Sequence, residues 1–251
     1  ILAVTFTNKA AYEMRGRIES RQGARLSGMW VGTFHSLAHR LLRAHWQTIG
    51  LPESFQILDS DDQYRLIRRI IRSLELDENK WPPKQAQWYI NKCKEEGKRP
   101  EHVKKDADPS YFTETMNRIY VAYEDVCHRS GLVDFAELLL CSLELLEQDD
   151  QIRAHYQNRF RYILVDEFQD TNTIQYAWLK ALAGPNTYMM AVGDDDQSIY
   201  SWRGAKIENI HRFTNDFPDT KTIRLEQNYR STQTILNAAN AVIDNNNNRL
   251  G

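Results

Sequence analysis

Residues 162–170 read Tyr162-Ile163-Leu164-Val165-Asp166-Glu167-Phe168-Gln169-Asp170, an apolar run that ends in carboxylates. The run predicts a buried strand from Tyr162 to Asp166. In open parallel sheets, ligands bind in the crevice beyond the carboxyl ends of the strands. The stretch therefore predicts a parallel α/β sheet, with a site for a metal ion and a nucleotide where this strand ends.

Four other apolar runs end in polar side chains in the same way. We expect strands at residues 2–6, 30–33, 188–192 and 223–225. Because the carboxyl ends of parallel strands share one edge of a sheet, the polar segments that follow are expected to form one functional edge. These segments are Thr7-Asn8-Lys9, Phe34-His35-Ser36, Gly193-Asp194-Asp195-Asp196-Gln197 and Glu226-Gln227-Asn228-Tyr229-Arg230.

The segment between residues 37 and 160 has a helical pattern. Ser60 and Gln63 have the spacing of a capping box, and apolar residues follow at helical intervals. Asp134 and Glu137 repeat this signal before an apolar run. Residues 92–108 are polar and indicate a loop with short helical pieces. A mostly helical insertion is therefore predicted to interrupt the sheet after its second strand.

The composition is that of a globular cytoplasmic protein, with 41% hydrophobic and 26% charged residues. No apolar stretch reaches the roughly 18 residues of a membrane span. The three cysteines lack the paired spacing of a zinc site, so reduced thiols are expected. A net charge of −2 means that any nucleic-acid binding must depend on local patches. The chain opens on an apolar run without an initiator Met or a signal peptide, and we expect it to be a piece of a longer protein.

The adjacent acids Asp166 and Glu167 can divide two catalytic roles. An aspartate at a strand end can hold Mg²⁺, and a neighbouring glutamate can deprotonate the water that attacks a terminal phosphate. The alternative is that Asp166 caps a helix starting near Thr171 while Glu167 is solvated. Gln197 can contact a phosphate or be an ordinary turn residue. Arg230 can clamp charge on a transferred phosphoryl group or form a surface salt bridge.

Aromatic side chains follow the acidic turn. Tyr200, Trp202 and Arg203 lie within eight residues, 198–205, and such a group can bind single-stranded nucleic acid by stacking, at roughly 1–3 kcal/mol per base. Because Gln197 is only a few residues away, one segment can sense both nucleotide and nucleic acid. Core packing is the alternative for the aromatic residues. Further candidates for the same track are Phe6, Thr33, Phe34 and His35.

Five ordered motifs resemble those of superfamily 1A DNA helicases of the UvrD/PcrA/Rep family, and the resemblance covers essentially the whole chain. In chain order, the motifs are Thr5-Phe6-Thr7-Asn8-Lys9-Ala10-Ala11 with Glu13-Met14, Gly32-Thr33-Phe34-His35, Val165-Asp166-Glu167-Phe168-Gln169-Asp170-Thr171, residues 193–205 and Gln227-Asn228-Tyr229-Arg230-Ser231.

The resemblance implies a RecA-like motor domain 1A interrupted by a helical domain 1B. Domain 1A would comprise residues 1–36 and 161–226, domain 1B residues 37–160, and the start of a second motor domain, 2A, residues 227–251. It implies ATP and Mg²⁺ as cofactors, single-stranded DNA and its junctions with duplex as partners, and 3′-to-5′ movement in DNA repair or replication. Repair proteins are further expected partners.

The resemblance also implies a role for each matching residue. Asp166 would bind Mg²⁺, Glu167 would activate water, Gln197 and Arg230 would sense the γ-phosphate, and Tyr229 would stack on adenine. Single-stranded DNA would be contacted by Phe6, Thr33, Phe34, His35, Tyr200, Trp202 and Arg203. Phe135 matches a position in 1B that approaches the strand, with packing beneath its helix as the alternative.

One expected motif is missing from these residues. No Gly-x-x-x-x-Gly-Lys-Ser/Thr sequence occurs, so the phosphate-binding loop and its lysine are absent. We therefore expect the chain alone to hydrolyse ATP poorly or not at all. Two other function classes stay open: a DNA-binding remnant without motor activity, and the motor portion of a helicase-nuclease recombination subunit. A P-loop kinase would leave residues 200–204 unexplained.

Overall fold

The computed structural model describes residues 1–23, 28–106 and 110–245. The strands are β1 (Leu2–Thr5), β2 (Trp30–Thr33), β3 (Gln56–Leu58), β4 (Leu132–Asp134), β5 (Tyr162–Val165) and β6 (Tyr188–Ala191). The helices are α1 (Asn8–Gln22), α2 (Phe34–Ala44), α3 (Ser60–Ser73), α4 (Pro83–Glu95), α5 (Pro100–Asp106), α6 (Tyr111–Ser130), α7 (Phe135–Gln148), α8 (Asp150–Arg159), α9 (Thr173–Leu182), α10 (Glu208–Asp216) and α11 (Gln233–Ile243).

The main sheet is parallel, with strand order β2-β1-β5-β6. Its strands are four residues long and carry mostly apolar or β-branched side chains. The strands β1 and β2 are buried throughout, whereas β5 and β6 leave one face exposed, with Tyr162, Leu164, Tyr188 and Met190 on it. Because all the pairings are parallel, Thr5, Thr33, Val165 and Ala191 end their strands at one edge. The predicted α/β fold is confirmed, and four of the five predicted strands end at this edge.

The predicted strand at residues 223–225 is wrong. The backbone described there pairs with no strand, and Ile223 and Leu225 are 73% and 89% exposed. An apolar run forms a strand only where a neighbouring edge offers backbone partners. In the described residues β6 is bonded to β5 alone, and the segment after α10 does not reach its free edge.

The insertion is mostly helical, as predicted, but two local predictions need correction. Helix α3 is capped by Asp59, whose side chain accepts a 2.8 Å bond from the Asp62 N–H, so the cap precedes the predicted Ser60. This cap places two acids in the first turn, where the helix dipole favours them. Helix is more extensive than expected within the predicted loop at 92–108, because α4 continues to Glu95 and α5 follows at Pro100, while residues 107 and 108 lie outside the described part of the chain. The polar and charged composition of the segment indicated a loop, although one of its charges, Lys94, is buried within α4.

Two small strands in this region were not predicted. The strands β3 and β4 pair in parallel, with Gln56 opposite Leu132 and Leu58 opposite Asp134. At the end of β4, Asp134 accepts a 2.8 Å bond from the Glu137 N–H and so begins α7, as the sequence predicted.

The buried apolar side chains form two clusters. The larger cluster lies between the main sheet and helices α2, α7 and α9, and includes Leu2, Phe34 and Trp178. The smaller lies among α3, α4 and α6, and includes Ile67 and Tyr120. Helices α2 and α7 therefore share a core with the sheet. The domain limits given above stay a prediction. Among the described helices, none is both long enough and apolar enough to cross a membrane.

Candidate functional site

The chain stays bound to its neighbours as it leaves β5. The Asp166 N–H donates a 2.9 Å bond to the carbonyl of Val4, and the Phe168 N–H donates a 2.9 Å bond to the carbonyl of Val192. These two bonds extend the sheet pairing past the end of β5 on both sides. The carboxylates are therefore fixed at the edge between β1 and β6.

Asp166 and Glu167 have different surroundings although they are adjacent. Asp166 is half-buried, and this burial, followed by the charge of Glu167, raises its pKa above the ordinary value. Glu167 is exposed and adopts φ 53° and ψ 43°, in the left-handed region. That conformation costs a non-glycine residue about 1 kcal/mol, and such backbone is concentrated at functional sites.

A buried glutamine that sequence reasoning left without a role lies beside Glu167. The side chain of Gln169 is 1% exposed, and its Nε2 donates a 2.8 Å bond to Glu167 Oε2. Its Oε1 accepts a 3.1 Å bond from the Asp194 N–H. One side chain thus joins the segment after β5 to the segment after β6. The sequence offered one signal for this role: Gln169 lies three residues after Asp166, in the polar segment that follows the strand.

Gln197 is joined to the same group through Asp194. The Gln197 Nε2 donates a 2.6 Å bond to Asp194 Oδ2, and Asp194 Oδ1 accepts a 3.1 Å bond from the Asp196 N–H. These bonds stabilise a short 3-10 helix, Asp195–Gln197, that exposes the glutamine side chain. The structure therefore brings Glu167 and Gln197 into one hydrogen-bonded chain.

The donor set at this edge suits Mg²⁺. Within the described residues, no cluster of three or more His, Cys, Asp or Glu side chains could hold a metal ion. Mg²⁺ is commonly bound by one or two carboxylates, with waters and phosphate oxygens as the remaining ligands. The single carboxylate of Asp166, half-buried at a strand end, meets that requirement.

Two aromatic rings are exposed beyond the acidic turn. Tyr200 and Trp202 are 37% and 75% exposed, and their ring centroids lie 6.4 Å apart. Trp202 belongs to a second short 3-10 helix, Ser201–Arg203. The side chain of Arg203 lies outside the part of the chain that the structure describes. An aromatic ring with this exposure is accessible to a base that stacks on it.

The candidates at the ends of β1 and β2 differ in accessibility. The Phe6 ring is half-buried and meets Phe34 edge to face at 5.4 Å. Phe34 is 1% exposed, so its ring belongs to the core, as the packing alternative had it. Thr33 is also buried, and its Oγ1 accepts a bond from the Ser36 N–H to cap α2. Neither side chain offers a surface to a ligand.

His35, which is half-buried, and Phe135, which is exposed, form a separate aromatic pair between the residues after β2 and the insertion. Their rings meet edge to face, with centroids 6.0 Å apart. Phe135 is 51% exposed at the start of α7, so it is not packed beneath its helix. The structure thus places a residue of the insertion beside one that follows β2.

Tyr229 and Arg230 are not brought to the carboxylates. Both follow α10 in an exposed segment without regular structure, and Tyr229 is 93% exposed. Among the described contacts, the backbone N–H of Arg230 donates to Asn228 Oδ1, and no contact joins either residue to Asp166.

Two residues that follow Tyr200 and Trp202 in the chain, Lys206 and Asn209, are hydrogen-bonded to the segment after β5. Asn209 is 1% exposed, and its Nδ2 donates to the Thr171 carbonyl at 3.0 Å and to Thr171 Oγ1 at 3.1 Å. The Lys206 N–H donates a 2.9 Å bond to the same carbonyl. Residues 194–206 are therefore bonded at both ends to residues 167–172.

Comparison with known proteins identifies the family. The family model for the UvrD/REP helicase N-terminal domain matches residues 1–218. DNA helicase II of Escherichia coli (strain K12) is 61% identical over 251 residues, covering all of this chain and 35% of that protein. DNA helicase II of Haemophilus influenzae is 59% identical with the same coverage, and the ATP-dependent DNA helicase PcrA of Leuconostoc citreum is 45% identical, with 33% of its length covered. The chain thus spans about a third of these relatives, and it belongs to the UvrD/REP helicase family.

Proposed function

We propose that this sequence forms part of the motor of an ATP-dependent DNA helicase, which moves 3′-to-5′ along single-stranded DNA and unwinds duplex. The observation that carries the proposal is the hydrogen-bonded chain from Glu167 through Gln169 and Asp194 to Gln197, three residues before the exposed Tyr200. It connects groups suited to phosphate chemistry with groups suited to base stacking. The names of the relatives, DNA helicase II and ATP-dependent DNA helicase PcrA, support the same activity.

On the nucleotide side, each residue acts through its charge or hydrogen bonds. Asp166 would hold Mg²⁺, and the bound ion would supply positive charge to the phosphate oxygens. Glu167 accepts a proton from the water that attacks the terminal phosphate, and Gln197 contacts that phosphate or the water. Arg230 stabilises charge on the transferred group, and Tyr229 stacks on adenine. Both must approach from their exposed segment when the nucleotide binds.

On the DNA side, the exposed rings of Trp202 and Tyr200 stack on bases, and Arg203 contacts the backbone. Phe6, His35 and Phe135 continue the track. Stacking is tolerant of sequence because every base has a π-face, so binding without sequence preference is expected.

The larger organisation is part of the proposal. Residues 1–36 and 161–226 form motor domain 1A, residues 37–160 form domain 1B, and residues 227–251 begin domain 2A. The partners are single-stranded DNA, its junctions with duplex and repair proteins, in DNA repair or replication. The cytoplasm is the proposed location.

ATP hydrolysis in the full-length helicase tests the proposal. By full-length helicase we mean a protein of the relatives' length that carries this sequence and a phosphate-binding loop. We expect hydrolysis to be stimulated by single-stranded DNA and to fall roughly 100- to 10,000-fold in Glu167→Gln, the range for loss of a general base. Glu208→Gln, at an exposed site in α10, is the matched control and should leave the rate unchanged. Hydrolysis that ignores DNA, or that survives Glu167→Gln, overturns the proposal.

A further inference from the structure

Gln169 is held in one orientation by partners of opposite kind. A carboxylate oxygen can only accept a hydrogen bond, and a backbone N–H can only donate one. Its Nε2 therefore faces Glu167 Oε2 at 2.8 Å, and its Oε1 faces the Asp194 N–H at 3.1 Å. Exchanging the two ends of the amide would break both bonds.

The backbone after β6 lies close to this amide. A Cβ atom at Gly193 would lie 2.7 Å from Gln169 Oε1 and 3.3 Å from the backbone nitrogens of Gln169 and Phe168. These distances are shorter than ordinary contacts, so only glycine lets the backbone after β6 lie this close. Because Gln169 is also 1% exposed, the amide is buried, and on this side it lies directly against the segment after β6.

We infer that Gln169 is a positioning residue that fixes the carboxylate of Glu167 and makes its position depend on the loop containing Asp194 and Gln197. This inference rests on the proposed function, because it assigns Glu167 as the base. The Glu167 side chain is exposed and long, so without the amide it has several rotamers. The bond from Gln169 restricts it to the rotamers in which Oε2 faces the amide. Movement of Asp194 shifts the amide and therefore shifts the base.

The experiment measures DNA-stimulated ATP hydrolysis of full-length variants as a function of ATP concentration and pH. Gln169→Met keeps the length of the side chain and removes both bonds. We expect kcat to fall roughly 10- to 100-fold, as for a misplaced catalytic group, with KM for ATP little changed. Gln87→Met is the matched control, because Gln87, like Gln169, is a buried glutamine with a hydrogen-bonded amide. The Gln87 amide donates a 2.7 Å bond to the carbonyl of Ser60. Gln87→Met should leave kcat unchanged.

Gln169→Glu gives a readout that a merely structural role would not produce. When protonated, a carboxyl at this position can donate to Glu167 and accept from the Asp194 N–H. When ionised, it repels Glu167. The charge of Glu167 and burial both raise the pKa of such a carboxyl. We therefore expect kcat to approach that of the unaltered enzyme near about pH 6 and to fall steeply towards about pH 8, whereas Gln169→Met stays low throughout.

Gly193→Ala provides a second route to the same displacement, without changing Gln169. We expect Gly193→Ala, like Gln169→Met, to lower kcat and to leave KM for ATP little changed. The inference is overturned if Glu167→Gln is inactive while both Gln169→Met and Gly193→Ala retain kcat, or if Gln169→Glu follows the pH profile of the unaltered enzyme. If Glu167→Gln itself keeps its activity, the proposed function fails first. Should Gln169→Met not fold, the pH profile of Gln169→Glu and the kcat of Gly193→Ala decide the matter.

Discussion

The acids of the helical insertion and the acids at the sheet edge have opposite surroundings. In the insertion, Lys94 is 1% exposed, and its Nζ lies 2.8 Å from Asp134 Oδ2 and 2.7 Å from Glu137 Oε2. Arg99 binds Glu137 and two further carboxylates, those of Glu124 and Glu144. Burial lowers the pKa of Lys94, but its carboxylate partners more than reverse this and hold it above the ordinary value.

The carboxylates of Asp166, Glu167 and Asp194 at the sheet edge differ from those of the insertion. None of the ion pairs among the described residues includes Asp166, Glu167 or Asp194. Burial, and then the charge of Glu167, raises the pKa of Asp166. The fold depends on the cations beside the buried acids of the insertion, because removing one partner of a buried pair is costly, whereas Asp166 beside Glu167 suits a ligand that brings positive charge.

The largest effect on stability is expected in the insertion. Lys94→Met leaves Asp134 and Glu137 without their nearest cation, and the free energy of unfolding should fall by about 3–5 kcal/mol. Unfolding in urea measures this change. Arg129→Met is the control, since Arg129 pairs with Asp125 on the surface and should contribute at most about 1 kcal/mol. Equal losses of unfolding free energy in Lys94→Met and Arg129→Met would contradict a special role for the buried cation of the insertion.

Trp202→Ala probes the exposed ring beyond the sheet edge. We expect binding of single-stranded DNA to weaken by about 1–3 kcal/mol, which corresponds to roughly 5- to 150-fold. Fluorescence anisotropy of a labelled oligonucleotide at one fixed salt concentration measures the change in the full-length helicase. Trp88→Ala removes another exposed tryptophan, in α4, and should leave binding unaltered. A similar loss in both variants would contradict a stacking role specific to Trp202.

Low pH should destabilise the helical insertion, because it protonates the carboxylate of Glu137. Burial opposes its charge, but Lys94 and Arg99 lower its pKa to about 2, below the ordinary value of 4.5. A group with a lowered pKa stabilises the fold above its unfolded pKa, and this contribution is lost as pH falls towards the folded pKa. The free energy of unfolding should therefore decrease between about pH 5 and pH 2. Glu137→Gln should flatten that slope, and an unchanged slope would argue against the pairing.

The smallest effect on the free energy of unfolding is expected for Asp166→Asn, and its sign is opposite to that of Lys94→Met. The pKa of Asp166 is raised, so the folded protein disfavours the ionised form at neutral pH. Removing the charge should leave the free energy of unfolding unchanged within about 0.5 kcal/mol or increase it slightly. ATP hydrolysis by the same full-length variant should be lost. A clear loss of stability would show that Asp166 serves the fold.

The strand ends were predictable because their signal is local. An apolar run followed by acids identified β5 and β6, and the caps of α3 and α7 were found to within one residue. The extent of helix between residues 92 and 106 was underestimated because the segment is polar and charged, and the burial of one of its charges, Lys94, depends on partners distant in sequence. The prediction of a strand at residues 223–225 failed for a related reason, since a strand forms only where the edge of a neighbouring strand is available for pairing.

The site was predicted less completely than the fold. Asp166, Glu167, Gln197 and Trp202 follow directly from the polar strand ends. The linking amide of Gln169 did not, because nothing in a linear sequence says that its two ends meet Glu167 and the Asp194 N–H. Phe34 was assigned to DNA although its ring is in the core, because the sequence does not tell that the first residue of α2 turns its side chain inwards against the core.

The short parallel pair of β3 and β4 has a consequence for how this molecule can vary. Because the two strands are parallel, residues 59–131 form a crossover connection that leaves the pair at one end and returns to it at the other. This connection carries Lys94 and Arg99, whose side chains bind the carboxylates of Asp134 and Glu137 where α7 begins. A replacement for the connection would therefore have to span the length of the strand pair and also supply cations to these two carboxylates. Exchange of accessory subdomains at this point is thus constrained by charge as well as by length.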